Sequence, residues 1–173
     1  MLPPSTVHNP TLHLLVGKIA AGKSTLAAEL GQAPATVVVS EDQWLAALFE
    51  DELNSIGDYI RCSARLRSAM EPHLIALLKS GLSVVLDFPA NTIAMRTWLR
   101  GLLDKAGCAH QMHFLDVPDN VCRDRLHKRN AAGSHAFAAT DEQFDLITAQ
   151  FVAPSAEEGF QLVLYHHSEP GRK

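Results

Sequence analysis

Residues 17–24, Gly17-Lys18-Ile19-Ala20-Ala21-Gly22-Lys23-Ser24, match GxxxxGK[ST], the phosphate-binding loop or P-loop. An apolar, strand-like run precedes the loop, Leu12-His13-Leu14-Leu15-Val16. A helix-forming run follows it, Thr25-Leu26-Ala27-Ala28-Glu29-Leu30, with Gly31 as its stop. A strand that enters a Gly-bounded turn and opens a helix aims several backbone N–H groups, and the positive helix end, at one point. That point binds anions. Lys23 then reaches the β- and γ-phosphates of a nucleoside triphosphate, and the Ser24 hydroxyl joins the shell of a Mg²⁺ ion. Gly17 through Thr25 are the expected ATP contacts.

The rest of the chain suits an α/β sheet built outward from that unit. Thr36–Val39 reads as a second strand, followed by a short helix over Glu41–Glu50. Helical spacing runs from Ile56 to Met70, and Pro72 is expected to open a new helix that ends at Gly81. Ser83–Asp87 is a third strand, apolar throughout as a strand covered on both faces should be. Asn91 is a plausible N-cap for a helix that stops at Gly107. Gln111–Leu115 is a fourth strand, with a helix from Pro118 to about Gly133. Thr140 to Gln143 reads as a capping signal for a helix to about Phe151, and Phe160–Tyr165 closes the series as a fifth strand. The expected fold is an α/β three-layer sandwich of the P-loop NTPase type, with a five-stranded parallel sheet and helices on both faces. We expect one domain over residues 1–173, a flexible N-terminus over 1–10, and an arginine-bearing lid whose loop spans about 131–140.

Composition narrows the partners. A net charge of −4 argues against broad nucleic-acid or membrane affinity, and no apolar run approaches a membrane span. Three widely spaced cysteines suit reduced thiols in a cytoplasm. His110 and His113, three apart beside a strand, point to opposite faces, so no structural zinc site is expected there.

Ligands of parallel sheets bind beyond the carboxyl ends of the strands, so candidate residues should lie there. Asp42, just after the second strand, can accept the proton of an attacking substrate hydroxyl, with Glu41 as its rival. Both also suit the first turn of a helix. Asp87 ends the third strand in a Walker B pattern and would help hold Mg²⁺ together with Ser24. Arg125 and Arg129 share a helix face and can grip the transferring phosphoryl group, whereas Arg123 points elsewhere. His135 and Phe137, in the lid, either stack on the nucleotide or pin the lid. Tyr59, Arg61, Arg65, Asn91 and Arg96 are weaker candidates for the acceptor side.

Together these residues resemble the small P-loop kinases grouped with zeta toxin, chloramphenicol phosphotransferase and the kinase domain of polynucleotide kinase. The shared elements here are Gly17 to Ser24, Asp42, Asp87, and Arg125 with Arg129. The resemblance implies that Asp42 is the base for the acceptor hydroxyl and that the lid arginines hold phosphate. Two departures stand out: Ala20-Ala21 where many relatives carry Gly-Ser or Ser-Gly, and Leu45 where polynucleotide kinases carry Arg. The second argues against polynucleotide acceptors.

The expected activity is Mg²⁺-ATP-dependent transfer of the γ-phosphate to a small hydroxylated molecule. The alternatives are an ATP-binding or ATP-hydrolysing regulatory module without such an acceptor, and a toxin-like nucleotide-sugar kinase. Neither Asp-x-x-Gly after the third strand nor Asn-Lys-x-Asp occurs, which argues against a Ras-type GTPase.

Overall fold

The computed structural model describes residues 9–133 and 139–167. Five strands alternate with six α-helices: β1 (Thr11–Val16), α1 (Lys23–Leu30), β2 (Thr36–Ser40), α2 (Glu41–Phe49), α3 (Ile56–Lys79), β3 (Ser83–Pro89), α4 (Ile93–Ala106), β4 (Ala109–Asp116), α5 (Asp119–Ala131), α6 (Asp141–Thr148) and β5 (Leu162–His166). Short 3₁₀ turns follow α2, at Glu50–Glu52, and precede β5, at Ala156–Glu158. All strand pairs are parallel, in the order β2-β3-β1-β4-β5. From β1 the chain moves to one edge of the sheet, returns through β3, and crosses to β4 and β5 on the other side. The P-loop therefore leaves the centre of the sheet.

Strand alternation sorts the core into two layers. Leu12, Leu14 and Val16 face a layer with α3 and α4, through Leu66, Leu74, Leu99 and Leu102. Leu15 and Val85 face Ala27 of α1, and Leu115 packs with Cys122 and Leu126 of α5 and Phe144 of α6. No helix among the described residues is long and apolar enough to cross a membrane.

Three local expectations give way to longer-range contacts. Pro72 does not open a helix; α3 runs unbroken through it. A proline there removes one backbone hydrogen bond and crowds the preceding turn, at a cost of about 3 kcal/mol. Cys62, Leu66, Met70, Leu74 and Leu78 form one buried stripe that crosses Pro72. Burying each large member is worth ~2 kcal/mol, so a continuous helix wins over two shorter ones. Asn91 does not cap α4, because the Thr92 hydroxyl accepts from the Met95 N–H instead. Arg96 is fully buried rather than a surface residue. At two other ends the local rules hold. Gly107 takes the left-handed conformation that closes α4. Thr140 and Gln143 form the reciprocal capping box of α6.

Candidate active site

The P-loop is built as the motif requires. Gly17 leaves β1 where a side chain would press on Ala21 and the Leu115 carbonyl, 3.1 and 3.3 Å from a Cβ. Ala20 has φ 60° and Gly22 φ 108°, the left-handed turns that swing the backbone into α1. Ala20 is thus an alanine in a left-handed conformation that favours glycine, a strain of about 1–2 kcal/mol. No side chain caps the start of α1, which leaves its first amides directed at an incoming anion.

Lys23 lies across the loop. Its Nζ donates to the carbonyls of Gly17, at 2.7 Å, and Lys18, at 2.9 Å. Loss of solvent lowers the ammonium to about 8, opposed first by Asp87 and more weakly by Cys122 and Asp42, while Arg129 pushes the same way as burial. These couplings gather Asp42, Asp87 and Arg129 around one ammonium. The sequence separates these residues by up to 106 positions, and the fold brings them to one cluster at the carboxyl end of the sheet.

Each acid reaches that place by a different device. Asp87 stays in register with Ser40 of β2, yet the β1–β3 ladder slips between Leu14 and Leu15, with Leu14 opposite Leu86 and Leu15 opposite Pro89. Asp87 and Phe88 are thus extra residues relative to β1, and such bulges re-aim side chains next to active sites. Asp42 lies in the first turn of α2, directly after β2. Its neighbour Glu41 turns inward instead and is buried, accepting the Tyr59 hydroxyl at 2.8 Å with Arg67 at 3.7 Å. Burial raises the Glu41 carboxyl above its ordinary range, and Tyr59 and Arg67 offset part of that rise. Glu41 therefore ties α2 to α3, and Asp42 is the acid of the pair that acts on Lys23 and Arg129.

On α5, Arg125 donates to the Ala21 carbonyl of the P-loop at 3.1 Å. Arg129 keeps a buried Nε without a hydrogen-bond partner among the described residues, and desolvation lowers its guanidinium against the pull of Asp42. A buried, unsatisfied donor beside Lys23 fits an anion. Arg123 points away as expected, bonding Asp141 and Asp145 of α6 and lying over the Phe144 ring. His135 and Phe137, with residues 134–138 of the expected lid loop, lie outside the described residues.

The weaker acceptor candidates separate. Arg61 pairs with Asp58 at 2.6 Å and Glu52 at 3.3 Å, and Arg65 approaches Glu52 at 3.7 Å over the Phe49 ring. Arg96 is used up inside the protein. It binds Glu158 through two nitrogens, at 2.6 and 3.0 Å, and the carbonyls of Ala90 and Val152. Asn91 instead grips the P-loop: its Oδ1 accepts from the Gly17 N–H at 3.0 Å and its Nδ2 donates to the Gly17 carbonyl at 2.8 Å. Lys18 adds a further tie, pairing with Asp119 at the start of α5. Nothing in the local sequence around Asn91 distinguishes a loop clamp from a helix cap. The histidines part as strand geometry demands, His110 against Phe160 and His113 against His13 and Tyr165.

Hard oxygen ligands fit Mg²⁺, which keeps several waters and shares phosphate oxygens rather than needing a full protein cage. Ser24 at the start of α1 and Asp87, the strongest acidic influence on Lys23, carry oxygens of that kind.

The chain matches a family of AAA domains, AAA_33, over residues 12–154. It belongs to that family. Among curated proteins, none matches the chain in sequence. Solved structures share the fold. A provisionally assigned kinase from Chloroflexus aurantiacus superposes with a TM-score of 0.72 at 19% identity, covering 92% of this chain and 86% of that one. A chain of the Pnkp1/Rnl/Hen1 RNA repair complex gives 0.62 at 24% identity, covering 87% of this chain but 46% of its own length. The Mycobacterium tuberculosis APS kinase CysC, solved with AMPPNP and APS, gives 0.52 at 19% identity, covering 95% and 91%. The protein is a small P-loop kinase-like member of the family, with the five-stranded parallel sheet of P-loop NTPases.

Proposed function

We propose that the protein is a Mg²⁺-ATP-dependent phosphotransferase that moves the γ-phosphate to a hydroxyl of a small molecule. What carries this reading is the placement of Asp42 directly after β2, Asp87 near the end of β3 and Arg129 on α5, the helix whose Arg125 touches the P-loop, with all three acting electrostatically on Lys23. A nucleotide-binding module that only switches needs the loop and a metal ligand. A second carboxylate and a half-buried guanidinium near the γ-phosphate position suit transfer.

In this reading the P-loop amides of residues 17–25 cradle the phosphates, and Lys23 leaves its two carbonyls for the β- and γ-phosphates. Ser24 and Asp87 would hold Mg²⁺, which neutralises charge on the phosphates when bound. Asp42 orients the acceptor hydroxyl and takes its proton. The new bond forms between the acceptor oxygen and the γ-phosphorus, the bond to the β–γ bridging oxygen breaks, and ADP leaves with that electron pair. Arg125 steadies the loop through Ala21, and Arg129 meets charge that spreads over the transferring group.

Purified protein with Mg²⁺-ATP and pooled acceptors (sugars, nucleosides, nucleotide sugars, aminoglycoside and chloramphenicol-type antibiotics, and 5′-hydroxyl oligonucleotides) tests this. ADP release and mass-shifted product are measured together. At least one pool should raise ADP release well above slow hydrolysis with product in equal amount. If no pool does so while ATP still binds, the protein is a nucleotide-dependent module without an acceptor. A product in the oligonucleotide pool alone would move the protein toward its neighbour in the RNA repair complex.

A further inference from the structure

We propose that Asn91 is the positioning residue of the P-loop, a side-chain amide that stands in for a missing stretch of β-ladder and holds Gly17 in its phosphate-binding conformation. The inference rests on the P-loop being the nucleotide site.

The slipped ladder explains why such a residue is needed. After the slip, Leu15 lies opposite Pro89, which has no N–H to offer, and the Ala90 N–H reaches back to the Leu15 carbonyl at 3.0 Å. Two residues further along both strands, Gly17 stands opposite Asn91. There the two strands have ended, and the amide group of Asn91 presents one donor and one acceptor in the spacing of a peptide unit. It takes both main-chain groups of Gly17. Asp lacks the donor and Ser cannot span both atoms, so the residue type is specific to the task.

Asn91 is itself held from behind. Its carbonyl accepts from the Val152 N–H at 2.9 Å. The carbonyls on either side of that contact, Ala90 and Val152, both accept from Arg96, at 3.0 and 2.8 Å, and Glu158 holds Arg96. A continuous set of bonds thus runs from the 3₁₀ turn at Ala156–Glu158 to the first glycine of the motif.

The clamp also bears on Lys23. The Gly17 carbonyl accepts from both Lys23 Nζ and Asn91 Nδ2. When Lys23 turns toward phosphate, Asn91 keeps that carbonyl bonded, so the lysine can leave without stranding a buried acceptor. Without Asn91, releasing Lys23 exposes the cost of an unpaired carbonyl, and the loop end is free to turn.

Asn91→Ala should weaken ATP binding by roughly ten- to a hundredfold in calorimetry with Mg²⁺, and it should also lower the melting temperature of the empty protein, because the Gly17 N–H loses its acceptor. Asn91→Asp separates positioning from packing. Ionised, it keeps the bond from the Gly17 N–H but sets a carboxylate oxygen against the Gly17 carbonyl; protonated, it restores both bonds. Its ATP affinity relative to wild type should therefore recover as pH falls from 7 to 5. In that window Lys23, the cation on the same carbonyl, stays charged in both proteins. An Asn91→Asp affinity ratio that stays flat with pH, or Asn91 variants within twofold of wild type, overturns the role. The pH comparison within the soluble Asn91→Asp protein decides the matter even where Asn91→Ala fails to fold. Wild-type protein that binds no ATP defeats the proposed function itself and this inference with it.

Discussion

The donor side and the acceptor side of this site are built in different materials. On the proposed donor side, other residues hold the loop: Asn91 and Arg125 through the main chain of Gly17 and Ala21, and Asp119 through the Lys18 side chain. On the proposed acceptor side, the chemistry would rest on one side chain, Asp42, at the start of a nine-residue helix tied down by Glu41 and Tyr59. Trp44 and Leu48 of that helix, and Ile56 and Ile60 opposite in α3, remain exposed. A backbone cradle can change little without losing the triphosphate, whereas a helix face can change its side chains and keep its place. The proposed donor side is therefore constrained by main-chain geometry, and the proposed acceptor side by the choice of side chains.

The largest effect should come from the acceptor side. Asp42→Asn is expected to lower transfer by about 10²–10⁴-fold, the usual worth of a general base, with the ATP dissociation constant within about threefold. Steady-state transfer and calorimetry on the same preparation check it. ATP affinity lost in step with transfer would mean that Asp42 belongs to the donor side.

Beneath the donor side, His113 is buried between His13 and Tyr165, and burial, then His13, pushes it down to about 4. A depressed folded-state value means that the contribution is intact above the ordinary value near 6.5 and is lost as pH falls toward 4. The protein should lose on the order of 2–3 kcal/mol across that window, seen as a falling urea midpoint. His113→Phe with an unchanged acid profile would assign the loss to other groups.

Lys23 gives a smaller and purely donor-side effect. In the empty site it gives up its proton above about 8, whereas phosphate holds the charged form. Binding must then take up a proton, so ATP affinity should be level up to about 8 and fall by up to tenfold per pH unit beyond it. Calorimetry in buffers of different ionisation heat measures the uptake directly. Affinity that stays level through pH 9.5 would place Lys23 outside the binding step.

Ala20→Gly should act least. It relieves a left-handed alanine but adds freedom to the unfolded chain, for a net gain of up to about 1 kcal/mol in stability. Thermal melting of the empty protein checks the sign. A loss of stability would show that the Ala20 methyl group is worth more than its backbone strain.

The sheet and the P-loop were legible in the sequence because both are written locally. Apolar runs of strand length alternate with helical spacing, and the glycines and lysine of the loop are contiguous. The misreadings share one cause. Asn91 and Gly17 lie 74 positions apart, and Arg96 and Glu158 lie 62 apart. Local rules made Asn91 a cap and Arg96 an acceptor-side candidate, since neither distant partner is visible from the surrounding sequence. Pro72 was read as a helix start for the same reason. The stripe that carries α3 through it counts only once the sheet it packs on is present. The inward turn of Glu41 was equally hidden, because it depends on Tyr59 in another helix.

The slip in the β1–β3 ladder gives the sheet a mechanical seam. On one side β2 and the end of β3 stay in step and carry Asp42 and Asp87; on the other, β1 carries the phosphate loop. Across the end of the seam run the Ala90 amide and the Asn91 side chain. Ladder pairs at Leu12, His13 and Leu14 join the two halves further back, so the stitch governs only their ends: in the proposed reading it sets the phosphate loop against the strand end that carries Asp87.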